Sequence, residues 1–301
     1  MFKEFKTDPF FMLRYYIFNL IILLPIDLFL YFRSSFSLST LGYFLFGLLL
    51  LIMPNFRYIA CSEIFFIAAT LYFFQPDFSF WNLALIPLGV IVGLYSAVMI
   101  HNAAHANIKP LWLSRLIGEI CGLHQLGGFT GWVVTHYLHH CFPDDPEKDP
   151  HPPHNLQFWK FADEMKNTIR GALTRSYFEI WGETAKSQRI WTGLEILLPI
   201  NRFLRSLLWL LIGGPIVFTF FFIPSYIGNV LIFYHFNYYT HTQAIGATGD
   251  IMNLNHNVFY KLMNTLLFGT YFHKNHHLNP NLFDPRKLKT TSKAEGLLSQ
   301  V

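Results

Sequence analysis

Apolar residues run through this chain in long blocks separated by short polar breaks. Six blocks have the length and character of helices that cross a bilayer: Tyr15–Phe32, Leu38–Met53, Tyr58–Phe74, Leu83–Ile100, Leu204–Pro224 and Tyr226–Tyr239. Each holds roughly 15–22 residues, close to what a hydrocarbon core requires, the second and sixth being short. Pro54-Asn55-Phe56-Arg57 separates the second block from the third and predicts a tight turn. The last two blocks predict a hairpin that turns near Ser225. No small-residue cleavage site follows the first block, so it is expected to stay as a span.

Two further apolar stretches are not expected to cross. Leu111–Val134 carries Arg115, Glu119, His124, Gln125 and the pair Gly127-Gly128, and Val258–Phe272 is short and carries Lys261. Both fit helices lying on or dipping into the membrane interface. From Asp149 to Arg202 charges mix with Trp159, Phe161, Trp181 and Trp191, as expected of a cap on the cytoplasmic surface. No internal repeat, low-complexity tract or second domain is visible. The pattern predicts an all-α integral membrane protein, one domain over residues 1–301, with about six transmembrane helices.

Composition agrees. Of 301 residues, 52% are hydrophobic and only 13% charged, against about a quarter in soluble domains. The net charge of +4 is small, and Lys and Arg sit beside apolar blocks, which suits anionic headgroups and not nucleic acid. With the N-terminus cytoplasmic, only Arg33 of the 22 Lys and Arg residues falls in an outer loop. The positive-inside rule therefore puts both termini in the cytoplasm. Cys61, Cys121 and Cys141 are far apart and form no CxxC pair, so they predict neither a disulfide framework nor an iron–sulfur site. They read as small buried residues, although Cys141 directly follows a histidine cluster.

The candidate chemistry lies in histidine. Nine of the fourteen fall into four clusters: His101 and His105 as HxxxH; His136, His139 and His140 as HxxHH; His241 closing Asn237-Tyr-Tyr-Thr-His241; and His273, His276 and His277 as a second HxxHH. Residues three and four apart share a helix face, so each HxxHH is expected to offer three imidazoles in one patch. Imidazole suits iron, zinc and copper. Nine are too many for one ion, since zinc takes four ligands, and they divide naturally into two sites of four or five. Asn237 offers a tenth position, directly or through a water. The clusters follow cytoplasmic helix ends or non-crossing segments, so all are expected at one membrane face. His124, His151, His154 and His235 read as core or interfacial residues. His235 points about 200° away from Asn237 on a helix, and His256 is left open. Ligating imidazoles normally donate their other N–H to a carboxylate or carbonyl. Candidates for that place are Asp149 first, then Asp145, from Asp144-Asp145-Pro-Glu147-Lys-Asp149, with Asp284 near the last cluster.

HxxxH, then HxxHH about thirty residues on, NxxxH after a hairpin and a C-terminal HxxHH resemble the membrane fatty acid desaturase superfamily, over roughly Ile100 to Pro285. The acidic, Pro-containing sequel to the second cluster is similar to the family's. The resemblance implies an oxidoreductase with two iron ions, O2 as oxidant, a lipid or acyl substrate and a separate electron donor of ferredoxin, rubredoxin or cytochrome b5 type. No His-Pro-Gly-Gly haem motif occurs in the chain. Relatives with similar boxes hydroxylate alkanes or modify carotenoids, and Asn237-Tyr-Tyr-Thr-His241 is also similar to the alkane-hydroxylase NYxxH element, so hydroxylation stays open. A membrane zinc transporter or zinc hydrolase is the reading from another class. It fits less well, because transporters hold ligands near the bilayer midplane.

Overall fold

The computed structural model describes residues 1–34, 37, 40–45, 47, 56–74, 77–153, 155–241 and 251–288. Among them there are helices and no strands, only two isolated bridges, His241 with Ile251 and Asn253 with Phe272. In chain order the helices used below are α1 (Phe2–Thr7), α2 (Phe11–Arg33), α3 (Phe56–Phe73), α4 (Leu85–Ala104), α5 (Leu111–His124), α6 (Phe129–Cys141), α7 (Phe158–Trp181), α8 (Ala185–Val217), α9 (Ile223–Thr240), α10 (Val258–Leu266) and α11 (His273–Leu278).

Three helical stretches are long and apolar enough to cross a membrane: Phe11–Arg33, Phe80–Ala104 and Ala185–Thr240. They contain the first, fourth, fifth and sixth expected blocks. The third block forms α3, of 18 residues, whose apolar part is the shorter Cys61–Phe73. Most of the second block, with Pro54 and Asn55 of the turn after it, lies outside the described residues.

Ala185–Thr240 is not one rod. Trp209 and Phe222 would stand about 20 Å apart on a straight helix, yet their rings stack with centroids 5.1 Å apart. Phe44 likewise touches both Phe203 and Phe218. The chain turns back at Gly214, whose φ of 68° and ψ of 176° break the helix. The hairpin is as expected, but its turn lies about ten residues before the expected position near Ser225. Gly213-Gly214-Pro215 supplies a left-handed residue followed by a helix-starting proline. Pro224 and Ser225 are instead buried inside α9. A π turn over Phe218–Phe222, in which the N–H of Ile223 donates to the carbonyl of Phe218, shifts the hydrogen-bond register just before Pro224. Proline's missing donor is thereby absorbed.

The outgoing arm packs along α4 through small residues. A Cβ on Gly89 or Gly93 would collide with the carbonyl oxygens of Phe221 and Ser225, and one on Gly228 would stand 3.1 Å from the carbonyl of Val90. Residue numbers rise together along the two helices, so they run parallel and both end on the same side. Gly89-Val-Ile-Val-Gly93 is a GxxxG segment, the spacing that lets membrane helices approach backbone to backbone.

α5, α6 and α10 hold 14, 13 and 9 residues, short of the roughly 20 a span needs. Leu111, Trp112, Leu116 and Ile120 on α5, and Val258, Phe259, Leu262 and Leu266 on α10, leave their apolar side chains exposed. Such faces fit an interfacial position.

Candidate metal centre

The centre is assembled at the shared end of α4 and α9. His101 and His105 stand at the last turn of α4, and His241 caps α9. α6 begins after a left-handed Gly128 (φ 78°) and carries His136, His139 and His140 inward. α11, only six residues long, carries His273, His276 and His277.

All nine clustered histidines come together, in two groups. His101, His105, His136 and His276 form one, and His139, His241, His273 and His277 the other, each with ring nitrogens within 4.8 Å of one another. His140 joins the first, its Nε2 3.1 Å from that of His136 and 2.9 Å from that of His276. Each HxxHH is therefore divided and does not present one patch. His136 and His140, one helical turn apart, face the first group while His139 faces the second; His273 and His277 face the second while His276 faces the first. Pairs at i,i+4 align on a helix and the intervening residue looks elsewhere.

Asn237 lies one turn before His241 on α9, buried, with its amide N–H donating to the carbonyl of Phe233 at 2.8 Å. That leaves its carbonyl oxygen as the available donor atom. Behind the second group, Nδ1 of His139 lies 3.0 Å from both carboxylate oxygens of Asp149, and Nδ1 of His241 lies 2.9 Å from Oδ1 of Asp144. Asp149 was expected in this place and Asp144 was not singled out for it. Asp145 is used elsewhere: its Oδ1 accepts from the backbone N–H groups of Glu147 and Lys148, tying the acidic turn. Asp284 accepts from the side chain and backbone of Arg286.

The isolated histidines divide. His124 is buried and hydrogen-bonds Ser225 Oγ at 2.8 Å, and His235 pairs with the Tyr271 hydroxyl at 2.6 Å, as expected of core residues. His256 is exposed, against Tyr260. His154 lies outside the described residues. His151 is buried, as expected of a core residue, but it also stands beside the centre: its ring centroid is 4.2 Å from that of His139, its Nδ1 is 3.6 Å from Asp149, and the three residues form a further group of ligand atoms within 4.8 Å of one another. Its position two residues after Asp149 is the signal that could have found it. Cys121 is buried, but Cys61 and Cys141 are exposed, and none of the three joins a ligand group among the described residues.

The nitrogens themselves fit a cation. A neutral imidazole has one N–H. His139 and His241 direct Nδ1 at carboxylates, which leaves Nε2 a lone pair in each. Nε2 of His139 nevertheless lies 3.2 Å from Nε2 of His277, which lies 3.2 Å from that of His273. In the first group Nε2 of His105 is 2.8 Å from that of His136. Nε2 of His101 and of His241 are buried with no hydrogen-bond partner among the described residues. Protonation does not relieve this, because burial first, and then mutual repulsion, holds His139, His273 and His276 well below the ordinary imidazole pKa. Burial also pushes the Asp149 carboxyl up to about 8, opposed by N–H donors from His151 and Asp144. Lone pairs converging in a dry site are what two metal ions would satisfy.

Two outcomes follow. Asp149→Asn should lower metal affinity by about 10–100-fold, the usual effect of losing a carboxylate behind a ligating imidazole, while Asp145→Asn leaves it unchanged; titration of the metal-depleted protein measures both. The lowered histidine pKa values set a pH dependence. Below about 6.5 the unfolded chain binds protons that the folded chain refuses. Thermal melts of metal-depleted protein should therefore fall as pH drops through 6.5 toward 5, where the many histidines outweigh the single Asp149 carboxyl, whose raised pKa takes stability away as pH rises toward about 8.

Comparison with known proteins decides the family. The fatty acid desaturase family model matches residues 76–284, more than half of the chain and all nine clustered histidines. The chain belongs to the fatty acid desaturase family. A curated desaturase relative, Delta-9 acyl-lipid desaturase 2 of Arabidopsis thaliana, is 42% identical over 71 residues, which is 23% of this chain and 22% of the relative. The chain is thus matched to less than a quarter of that desaturase's length. No solved structure matches.

Proposed function

We propose that this desaturase-family protein is an O2-dependent, di-iron oxidoreductase that introduces a double bond into a fatty acyl chain. The observation that carries the reading is the pairing of two electron-rich histidine groups with an apolar cavity. The cavity, narrow at about 20 Å³, is lined by His101, His273 and His276, from both groups, and by Ala97, Val98, Ile232 and Phe236. His101, His105, His136, His140 and His276 would hold one iron; His139, His241, His273 and His277 would hold the other, with Asn237, directly or through a water, in a fifth position. When bound, the irons supply the redox chemistry that removes hydrogen from an unactivated C–H bond.

The chain's own residues do the rest. Asp144 and Asp149 accept the Nδ1 protons of His241 and His139 and so fix which nitrogen faces the centre. The buried imidazoles stay neutral and keep their lone pairs available. The apolar walls hold a hydrocarbon that has no polar handle at its reacting carbons, so position along the chain is set by shape. Overall, two C–H hydrogens, O2, two electrons and two protons give an alkene and two waters. The electrons come from a separate carrier protein of ferredoxin, rubredoxin or cytochrome b5 type. In this reading the protein is multi-pass, with about six spans and both termini in the cytoplasm, where α7, α11 and the centre form a cap.

Expression in a host with a simple lipid profile, followed by mass analysis, tests the reading. New acyl chains lighter by two hydrogens support it. A gain of one oxygen would make the protein a hydroxylase, and purified protein carrying zinc without iron would overturn the redox assignment.

A further inference from the structure

The cavity beside the histidines runs to a strained aromatic turn. Phe268 has φ of 51°, followed by Gly269 at 78°. A bulky residue in the left-handed region is an outlier, and such strain persists only where the surroundings over-determine it. Here they do. The Gly269 N–H donates to the Asn264 carbonyl at 2.8 Å, and the Tyr271 N–H to Asn264 Oδ1 at 2.9 Å. Asn264, itself buried, donates to the carbonyl of Leu254 at 2.8 Å. The Asp284–Arg286 pair closes over Gly269, where a Cβ would meet Asp284 Oδ1 at 2.8 Å and Arg286 Cγ at 2.9 Å.

What this framework presents is the Phe268 ring. It lines the cavity, edge to face with Phe283, another lining residue, at 5.2 Å, and with Tyr95 at 6.2 Å. Tyr95 precedes His101 by six residues on α4, about 9 Å along the axis. Phe236, by contrast, touches the rings of His101 and His273 at 6.5 and 5.4 Å. The cavity therefore has a histidine end near Phe236 and a remote end at Phe268, between apolar walls.

We propose that Phe268, backed by Phe283, is the stop of an acyl-chain pocket and sets how many carbons pass beyond the histidines. This rests on the acyl-desaturase reading above. It makes Phe268 a specificity-determining residue, with Asn264 and the Asp284–Arg286 pair as its positioning residues.

The test compares the parent with three variants, by product chain-length profile and by thermal shift of the purified protein with saturated C12 to C20 fatty acids. Phe268→Gly keeps the positive φ and removes the ring; Phe283→Ala removes its backing; Ala97→Leu fills the wall. The first two should move the optimum toward longer chains by two or more carbons, with a several-fold change in the ratio of long to short products. Ala97→Leu should move it toward shorter ones, and binding should shift in parallel. Unchanged profiles and unchanged binding optima in folded variants would overturn the stop. Should Phe268→Gly fail to fold, the other two, which leave the turn intact, carry the same test. A parent that binds acyl chains with these shifts but makes no oxidised product would instead overturn the acyl-desaturase reading and leave the stop standing.

Discussion

His139→Ala and His140→Ala, one residue apart, should each abolish activity and do so by emptying different sites. His139 belongs to the second histidine group and His140 to the first. On the proposed di-iron reading, each variant should lose about one of two bound irons and retain the other, with the loss of activity exceeding the roughly 10–100-fold that follows removal of an outer hydrogen-bonding partner. His277→Ala should resemble His139→Ala, because both face the second group at an Nε2 separation of 3.2 Å. Iron per protein, measured on purified samples alongside product formation, checks the pattern. Full activity with unchanged iron in any of these variants would contradict the assignment of the centre.

The second large effect lies away from the histidines. Gly93→Ala should destabilise the protein severely, because the added methyl has only the Ser225 carbonyl and the Asn229 backbone to meet. Overpacking a close contact costs about 1–3 kcal/mol even where neighbours yield, and here the neighbours are backbone. Relieving the clash moves α4 off α9, and those two helices deliver His101, His105 and His241. Gly93→Ala should therefore lower the melting temperature in detergent and reduce bound metal together. Gly42→Ala, with nothing within 4 Å of the added atom, should leave both unchanged. Normal metal loading in a well-folded Gly93→Ala protein would show that the close approach of α4 and α9 is not required.

Much of this arrangement is written locally in the chain. Apolar blocks give the long helices, and polar interruptions such as Arg115 and Lys261 mark helices of 14 and 9 residues, shorter than a span needs. Imidazoles at i,i+4 mark the ligand pairs. What was not legible depends on where separate segments meet. His151 looked solitary because the rings it meets, those of His139 and Phe233, come from other segments, and only its place two residues after Asp149 hinted at the centre. Asp144 and Asp145 are equivalent by position, and only the fold shows which one reaches His241, 97 residues away. Each HxxHH looks like one patch in isolation, and its division appears only when a second group stands on the other side. The hairpin turn was misplaced for a different reason. Pro224 is the more visible breaker, but the π turn before it absorbs the missing donor, while Gly214 makes the reversal. Gly89 and Gly93 did carry a readable signal, their GxxxG spacing.

The division of the two HxxHH segments bears on how the protein is completed. Neither histidine group can be filled from one stretch of chain: the first draws on α4, α6 and α11, and the second on α6, α11 and the end of α9. α11 has six residues, too few to hold a helix unaided, yet it contributes to both groups. Metal capture thus becomes a report that α11 has arrived, and the ions would act as rivets joining it to helices laid down much earlier in synthesis.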